Sequence, residues 1–212
     1  VKLYTYFRSS AAFRVRIALN LKRLAYEPVF VHLAKGEHRQ PQYAEVNPQA
    51  LLPTLELDDG TRLTQSLAII EWLDEKHPVP ALLPKDALEQ ARVRSLAYLV
   101  ACEIHPLNNL RVLQHLKRAL GQSQEQIDHW YRHWIADGLA KLEAELARPG
   151  TGKFCHGDAP SMADCCLVPQ IFNAKRYKSE LTPYPVTLRI FENCMKLEAF
   201  DRAQPAKQPD AE

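Results

Sequence analysis

At 212 residues, with 46% hydrophobic and 25% charged, the chain has the composition of an ordinary globular protein and the length for one large or two small domains. A net charge of +2 implies no nucleic-acid or membrane preference, and no apolar run approaches membrane-spanning length. Five cysteines, odd in number and without CxxC or His-rich spacing, indicate neither a disulfide framework nor a zinc or other metal site, so they read as reduced thiols. The opening residues are too short and too polar for a signal peptide, and a cytoplasmic protein is expected.

Residues 2–7 are rich in aromatic and β-branched side chains, which suits a half-buried strand. From Ser10 onward Phe13, Ile17 and Leu21 recur at helical spacing. Ser9 and Ser10 therefore stand at a strand-to-helix junction. Their hydroxyls can cap the first turn, whose unpaired N–H groups and dipole favour a negatively charged ligand atom. A cap alone would account for the serines; Arg8, a cation immediately before them, strengthens the case for a binding site.

Residues 27–32 are the second strand, followed by a loop with Gly36 and His38. The run NPQALLPTLEL gives a turn and a third strand headed by Pro53, a position that suits a residue unable to donate to a ladder. Asp58-Asp59-Gly60 signals a hairpin into a short fourth strand at 61–64. Ser66, next to Gln65, is expected to cap a helix over 67–76 with Leu67, Ile70 and Leu73 on its apolar face. This βαβ-ββα order is that of a thioredoxin-like domain over residues 1–80. In such a domain the proline at this place is cis, which leaves the N–H and C=O of Leu52 for a peptide laid alongside.

Residues 77–88 hold three prolines within seven positions, and 81–87 are the expected linker. Beyond it, 88–212 reads as all-helical: 89–120 with a kink at Pro106, then 123–146, 161–177 and 184–198, ending in a coil. His105, Asn108 and Asn109 would share one side of the first of these helices. Ser161 and Asp164 form a capping box that reads as structural. Arg176 lies in a last turn, where a cation serves either the helix dipole or a ligand.

The run FRSSAAFRVRIALNLK closely resembles the signature of zeta-class glutathione transferases, the maleylacetoacetate isomerases, departing from it at Ala11, where that class has Cys, and at Phe13, where it has Trp. NPQALLPTL, QSLAIIEWL, the capping box with ADCCLVPQ, LTPYP and the closing QPD extend the resemblance over nearly the whole chain. It implies an α/β plus all-α architecture, glutathione as cofactor, a homodimer, and cis–trans isomerisation of maleylacetoacetate, with glutathione transferase side activity. Maleylpyruvate isomerisation and a non-catalytic binding module are the alternatives. The resemblance also implies roles: Ser9, Arg8 and Arg176 in catalysis, and Ser9, Ser10, His38, Leu52, Gln65, Ser66, His105 and Asn109 around glutathione.

Overall fold

The computed structural model describes residues 1–212, and the chain divides into two compact units, one formed by 1–83 with 195–212 and the other by 84–194. No helix is long and apolar enough to cross a membrane.

The first unit is built on a four-stranded sheet of β1 (Lys2–Thr5), β2 (Glu27–Phe30), β3 (Thr54–Glu56) and β4 (Arg62–Thr64) in the order β2-β1-β3-β4, with the short helix α2 (Pro41–Ala44) between β2 and β3. β1 runs parallel to β2, with Lys2 opposite Glu27. β3 runs antiparallel to β1 and to β4, so Thr54 faces both Tyr4 and Thr64. Pro28 is tolerated because β2 is an edge strand. β1 stops two residues short of its expected end: the aromatic character of Tyr6 and Phe7 reflects burial, while their backbone has already left the ladder to form a turn. The hairpin between β3 and β4 turns at Gly60, whose φ of +84° suits a residue without Cβ.

In α1 (Ser10–Leu21) burial goes beyond the Phe13, Ile17 and Leu21 spacing: it is continuous from Ala12 to Leu19 and includes Arg14 and Arg16. The helix packs against α3 (Ser66–Lys76) and α9 (Glu198–Ala203), so no face is left to solvent over that stretch. Arg16 is 0% exposed and donates to the carbonyls of Tyr6, Phe7 and Ala203 and to Thr5 Oγ1. Burial lowers its pKa to about 10, which leaves it a cation at neutral pH. In α3 the buried apolar residues are Ile69, Ile70 and Leu73; Leu67 is only half-buried.

The proline-rich connection is tied down rather than slack. Asp74 accepts the N–H groups of Leu82 and Leu83, and Lys22 reaches Asp74 and the carbonyls of His77 and Pro80. Residues 81–83 consequently group with the first unit. So does the stretch 195–212, which the sequence assigned to the helical domain: α9 docks on α1 through Arg16 and through Asn20, whose side chain donates to Ala199 O.

In the second unit the helix expected over 89–120 is broken. α4 (Ala87–Tyr98), capped by Asp86, widens into a π-helical stretch over Leu99–Ile104, tightens into a 3₁₀ turn over His105–Asn108 and restarts as α5 (Leu110–Arg118). Pro106 lacks an N–H and its ring clashes with the preceding turn, so the chain changes helical pitch there instead of merely bending. α6 (Gln124–Leu146) opens with a reciprocal Ser123–Gln126 capping box and buries Ile127, Tyr131, Ile135, Leu139, Leu142 and Leu146 on one face. A Cβ on Gly138 of this helix would lie 2.3 Å from Ile104 Cγ1, so only glycine allows that approach.

α7 (Met162–Arg176) is buried over most of its length, and α8 (Pro185–Met195) starts on the Glu143 carboxylate, which accepts from Val186 and Thr187. At the start of α7, Asp164 accepts the N–H and hydroxyl of Ser161 on Oδ2 and the N–H of Cys155 on Oδ1. Burial raises its carboxyl pKa against the pull of those donors, and burial beside it pushes the Cys155 and Cys194 thiols well up, which leaves them unreactive. Asp164→Ala strands two buried N–H groups at about 1–3 kcal/mol each, for an expected loss of about 2–6 kcal/mol in denaturant unfolding. A loss under about 1 kcal/mol would show that other groups replace the cap.

Candidate active site

The junction after β1 is a tight turn in which Ser9 N donates to Tyr6 O at 2.9 Å. Ser9 has extended backbone and caps α1, its Oγ accepting from Ala12 N at 3.2 Å. That bond uses one lone pair of the hydroxyl and leaves its O–H to be donated elsewhere. Capping and ligand binding are therefore compatible in one side chain, itself only 8% exposed. Ser10 is the first helical residue and is also buried. Arg8 is exposed, with its guanidinium over the Phe7 ring, 4.7 Å from the centroid.

The N-terminus of α3 corrects the expected cap. Ser66 is the first residue of the helix, and Gln65 holds the cap position at φ +67° with no side-chain cap bond. A non-glycine residue in that region costs on the order of 1–3 kcal/mol and is characteristic of binding sites. The side chain of Gln65 instead donates to Gln49 Oε1 at 2.7 Å. Ser66 Oγ accepts from the buried Arg14 at 3.2 Å, so a cation stands behind this helix start. A carboxylate fits here, because the first-turn N–H groups lack a side-chain acceptor and the local charge is positive.

Leu52–Pro53 is cis, and β3 begins only at Thr54, which places the main chain of Leu52 outside the ladder. The preceding carbonyl, Leu51 O, is clamped by Tyr43 Oη at 2.7 Å and Asn47 Nδ2 at 2.8 Å. Tyr43 Oη also pairs with Thr54 Oγ1, so the segment is fixed on both sides of Leu52. Leu52 packs in one apolar cluster with Tyr6 and Phe7, Val31 and Tyr43, which connects it to the junction before Ser9. His38 sits in a 3₁₀ turn at 7% exposure, with Nδ1 buried and unpartnered within the chain. Burial, and then the nearby Arg39, lower its pKa, so it is neutral at pH 7.

The residues anticipated in the second unit fare unevenly. Asn109 is the cap of α5, Oδ1 accepting from Arg111 N at 3.1 Å, and its backbone is extended. Only Asn109 leaves the shared side: His105 and Asn108 are one 3₁₀ turn apart and stay on one face, while the extended backbone of Asn109 turns it away. His105 is half-buried in the 3₁₀ turn, and Asn108 is buried with both amide atoms unpartnered. Arg176 is exposed in the last turn of α7, with its guanidinium 5.3 Å from the Tyr177 ring centroid, and that ring stacks on Tyr131. The sequence reading missed Arg14, Tyr43 and Asn47 as supports. No local signal marked Arg14, because its burial depends on Ser66, 52 residues away in sequence.

A thioredoxin-like unit with a serine-capped junction and an uncapped second helix start, followed in sequence by an all-helical unit, defines the glutathione transferase class of architecture. Family models agree: the glutathione S-transferase N-terminal domain matches residues 8–76 and the C-terminal domain residues 124–202. The chain is 48% identical to a maleylpyruvate isomerase of Ralstonia sp over 100% of both chains. Among solved structures, a maleyl pyruvate isomerase described as a bacterial glutathione S-transferase of the zeta class superposes with TM-score 0.97 at 46% identity, covering 100% of each chain. A maleylacetoacetate isomerase from Anaeromyxobacter dehalogenans 2CP-1 with glutathione bound in its active site gives 0.89 at 47% identity, covering 100% of this chain and 97% of that one. The chain belongs to the zeta class of the glutathione S-transferase family, with the maleylacetoacetate and maleylpyruvate isomerases.

Proposed function

We propose that the protein is a glutathione-dependent cis–trans isomerase that converts maleylacetoacetate to fumarylacetoacetate. The observation that carries this reading is the junction at Ser9: a buried hydroxyl that caps α1 with one lone pair and keeps its O–H, at a helix N-terminus and next to the exposed Arg8. When bound, glutathione supplies a thiolate that adds to the cis double bond and leaves again, so that the intervening bond can rotate. Ser9 donates its hydroxyl hydrogen to the sulfur and the α1 dipole favours the anion, which together lower the thiol pKa. The N–H and C=O of Leu52 pair with the peptide portion, and the α3 start with Gln65, Ser66 and the Arg14 charge behind it holds the γ-glutamyl carboxylate. Ser10 and His38 contribute further polar contacts. Asn109 caps α5 with one lone pair of Oδ1 and keeps its NH₂ to donate to glutathione, as Ser9 keeps its O–H; no geometric feature adds support for His105. Arg8 and Arg176 bind the carboxylates of the substrate through planar, two-pronged contacts.

The 48% identity to the Ralstonia maleylpyruvate isomerase favours a second reading, the same chemistry on a shorter keto acid. The working form is a cytoplasmic homodimer in either case. A spectrophotometric assay of both keto acids, with and without glutathione, tests the proposal. The expected result is turnover only with glutathione and a higher kcat/KM for maleylacetoacetate. A higher value for maleylpyruvate would select the second reading, and glutathione binding without turnover of either acid would make the protein a binding module.

A further inference from the structure

The closing Gln208-Pro209-Asp210 run has no part in the chemistry above, yet it is held against the residues that lead to Ser9. After α9 the chain makes a 3₁₀ turn over Pro205–Lys207, and the Gln208 carboxamide folds back onto the carbonyls of Arg202 and Gln204. This brings Asp210 Oδ2 to Phe7 N at 2.9 Å. The β1 ladder has ended at Thr5, so the Phe7 N–H has no strand acceptor, and a charged carboxylate replaces it. The Phe7 carbonyl is taken by Arg16, which also holds Tyr6 O and Ala203 O. Both main-chain polar groups of Phe7 are thus fixed by charged side chains, one supplied by the tail and the other itself bound to α9. Arg8 and Ser9 are the next two residues.

We propose that Asp210 is a positioning residue for catalysis: its carboxylate fixes the Tyr6–Ser9 turn and thereby aims the Ser9 hydroxyl at the sulfur of glutathione. The inference rests on the isomerase reading. A tail that only stabilised the fold would change melting without changing the ionisation of the bound thiol. A positioning tail changes that ionisation, because a donor displaced by a fraction of an ångström stabilises the thiolate less.

The test compares Asp210→Ala, Asp210→Asn and Asp210→Glu in the full-length protein. It measures the pH titration of the bound glutathione thiol by its thiolate absorbance, together with kcat. Asp210→Asn keeps an oxygen acceptor for the Phe7 N–H and is expected to behave like the unmodified protein. Asp210→Ala is expected to raise the apparent thiol pKa and to lower kcat about 10- to 100-fold, the scale of a small misplacement at a reacting centre. Asp210→Glu keeps the charge but displaces the oxygen by a methylene, and is expected to fall between the two; if the alanine variant does not fold, the asparagine and glutamate pair decides. A folded alanine or glutamate variant with an unchanged thiol titration and kcat would overturn the inference, as would an asparagine variant as impaired as the others. An unmodified protein without glutathione-dependent turnover would instead overturn the functional reading beneath it.

Discussion

Ser9→Ala is expected to lower the rate of every thiol-dependent reaction of the protein about 10²- to 10³-fold, the usual consequence of deleting one preorganised donor to a developing or resident anion. The thiolate absorbance of bound glutathione should fall at neutral pH, since loss of a donor to the charged form raises the thiol pKa. The same substitution removes the Ala12 cap bond and costs about 0.5–2 kcal/mol of stability. Ser9→Gly separates the two effects, because glycine at a cap position costs only a few tenths of a kcal/mol while still lacking the hydroxyl. The glycine variant should therefore be nearly as stable as the unmodified protein and nearly as impaired as the alanine variant. A glycine variant with full thiolate absorbance would return Ser9 to a purely structural role.

The two arginines should fail in a different way. Arg8→Met and Arg176→Met each delete a charge-assisted contact to a substrate carboxylate worth about 1.5–3 kcal/mol, which corresponds to about 10- to 150-fold in kcat/KM for dicarboxylic substrates. Reactions of the thiol with uncharged electrophiles should be much less affected. Arg8 carries the sharper test because it adjoins Ser9, so its charge also acts on the thiol. Equal loss of thiolate in the Ser9 and Arg8 variants would make Arg8 part of nucleophile activation. Unchanged dicarboxylate kinetics in Arg176→Met would leave that residue as a cation at the end of α7, over the Tyr177 ring.

What the sequence disclosed depended on how local the physics was. Ser9 as a cap, Pro53 at the head of a strand, the Gly60 turn and the Ser161–Asp164 box are decided within a few residues, and the structure places them as expected, while the cis bond at Pro53 followed from the thioredoxin-like fold. Ser66 is the exception, since a polar residue before an apolar run reads as a cap, while the strained backbone of Gln65 starts the helix one residue earlier. The break from π to 3₁₀ around Pro106 was legible as a disturbance but not in kind. The burial of Arg14 and Arg16 depends on partners that lie 52 and 187 residues away in sequence, Ser66 and Ala203, and periodicity within α1 carries no information about them. The return of the tail to the first unit has the same origin: Asp210 and Phe7 are 203 residues apart, and only the fold brings them to one turn.

If the protein isomerises its substrate as proposed, glutathione is used and not consumed. This is tested most directly by following glutathione itself while the protein isomerises a large excess of maleylacetoacetate. Complete conversion to the trans acid is expected with the glutathione concentration unchanged at the end, and no enzymatic conversion when glutathione is omitted. Disappearance of glutathione mole for mole with the keto acid, or equal rates without it, would show that the protein is not a glutathione-dependent isomerase.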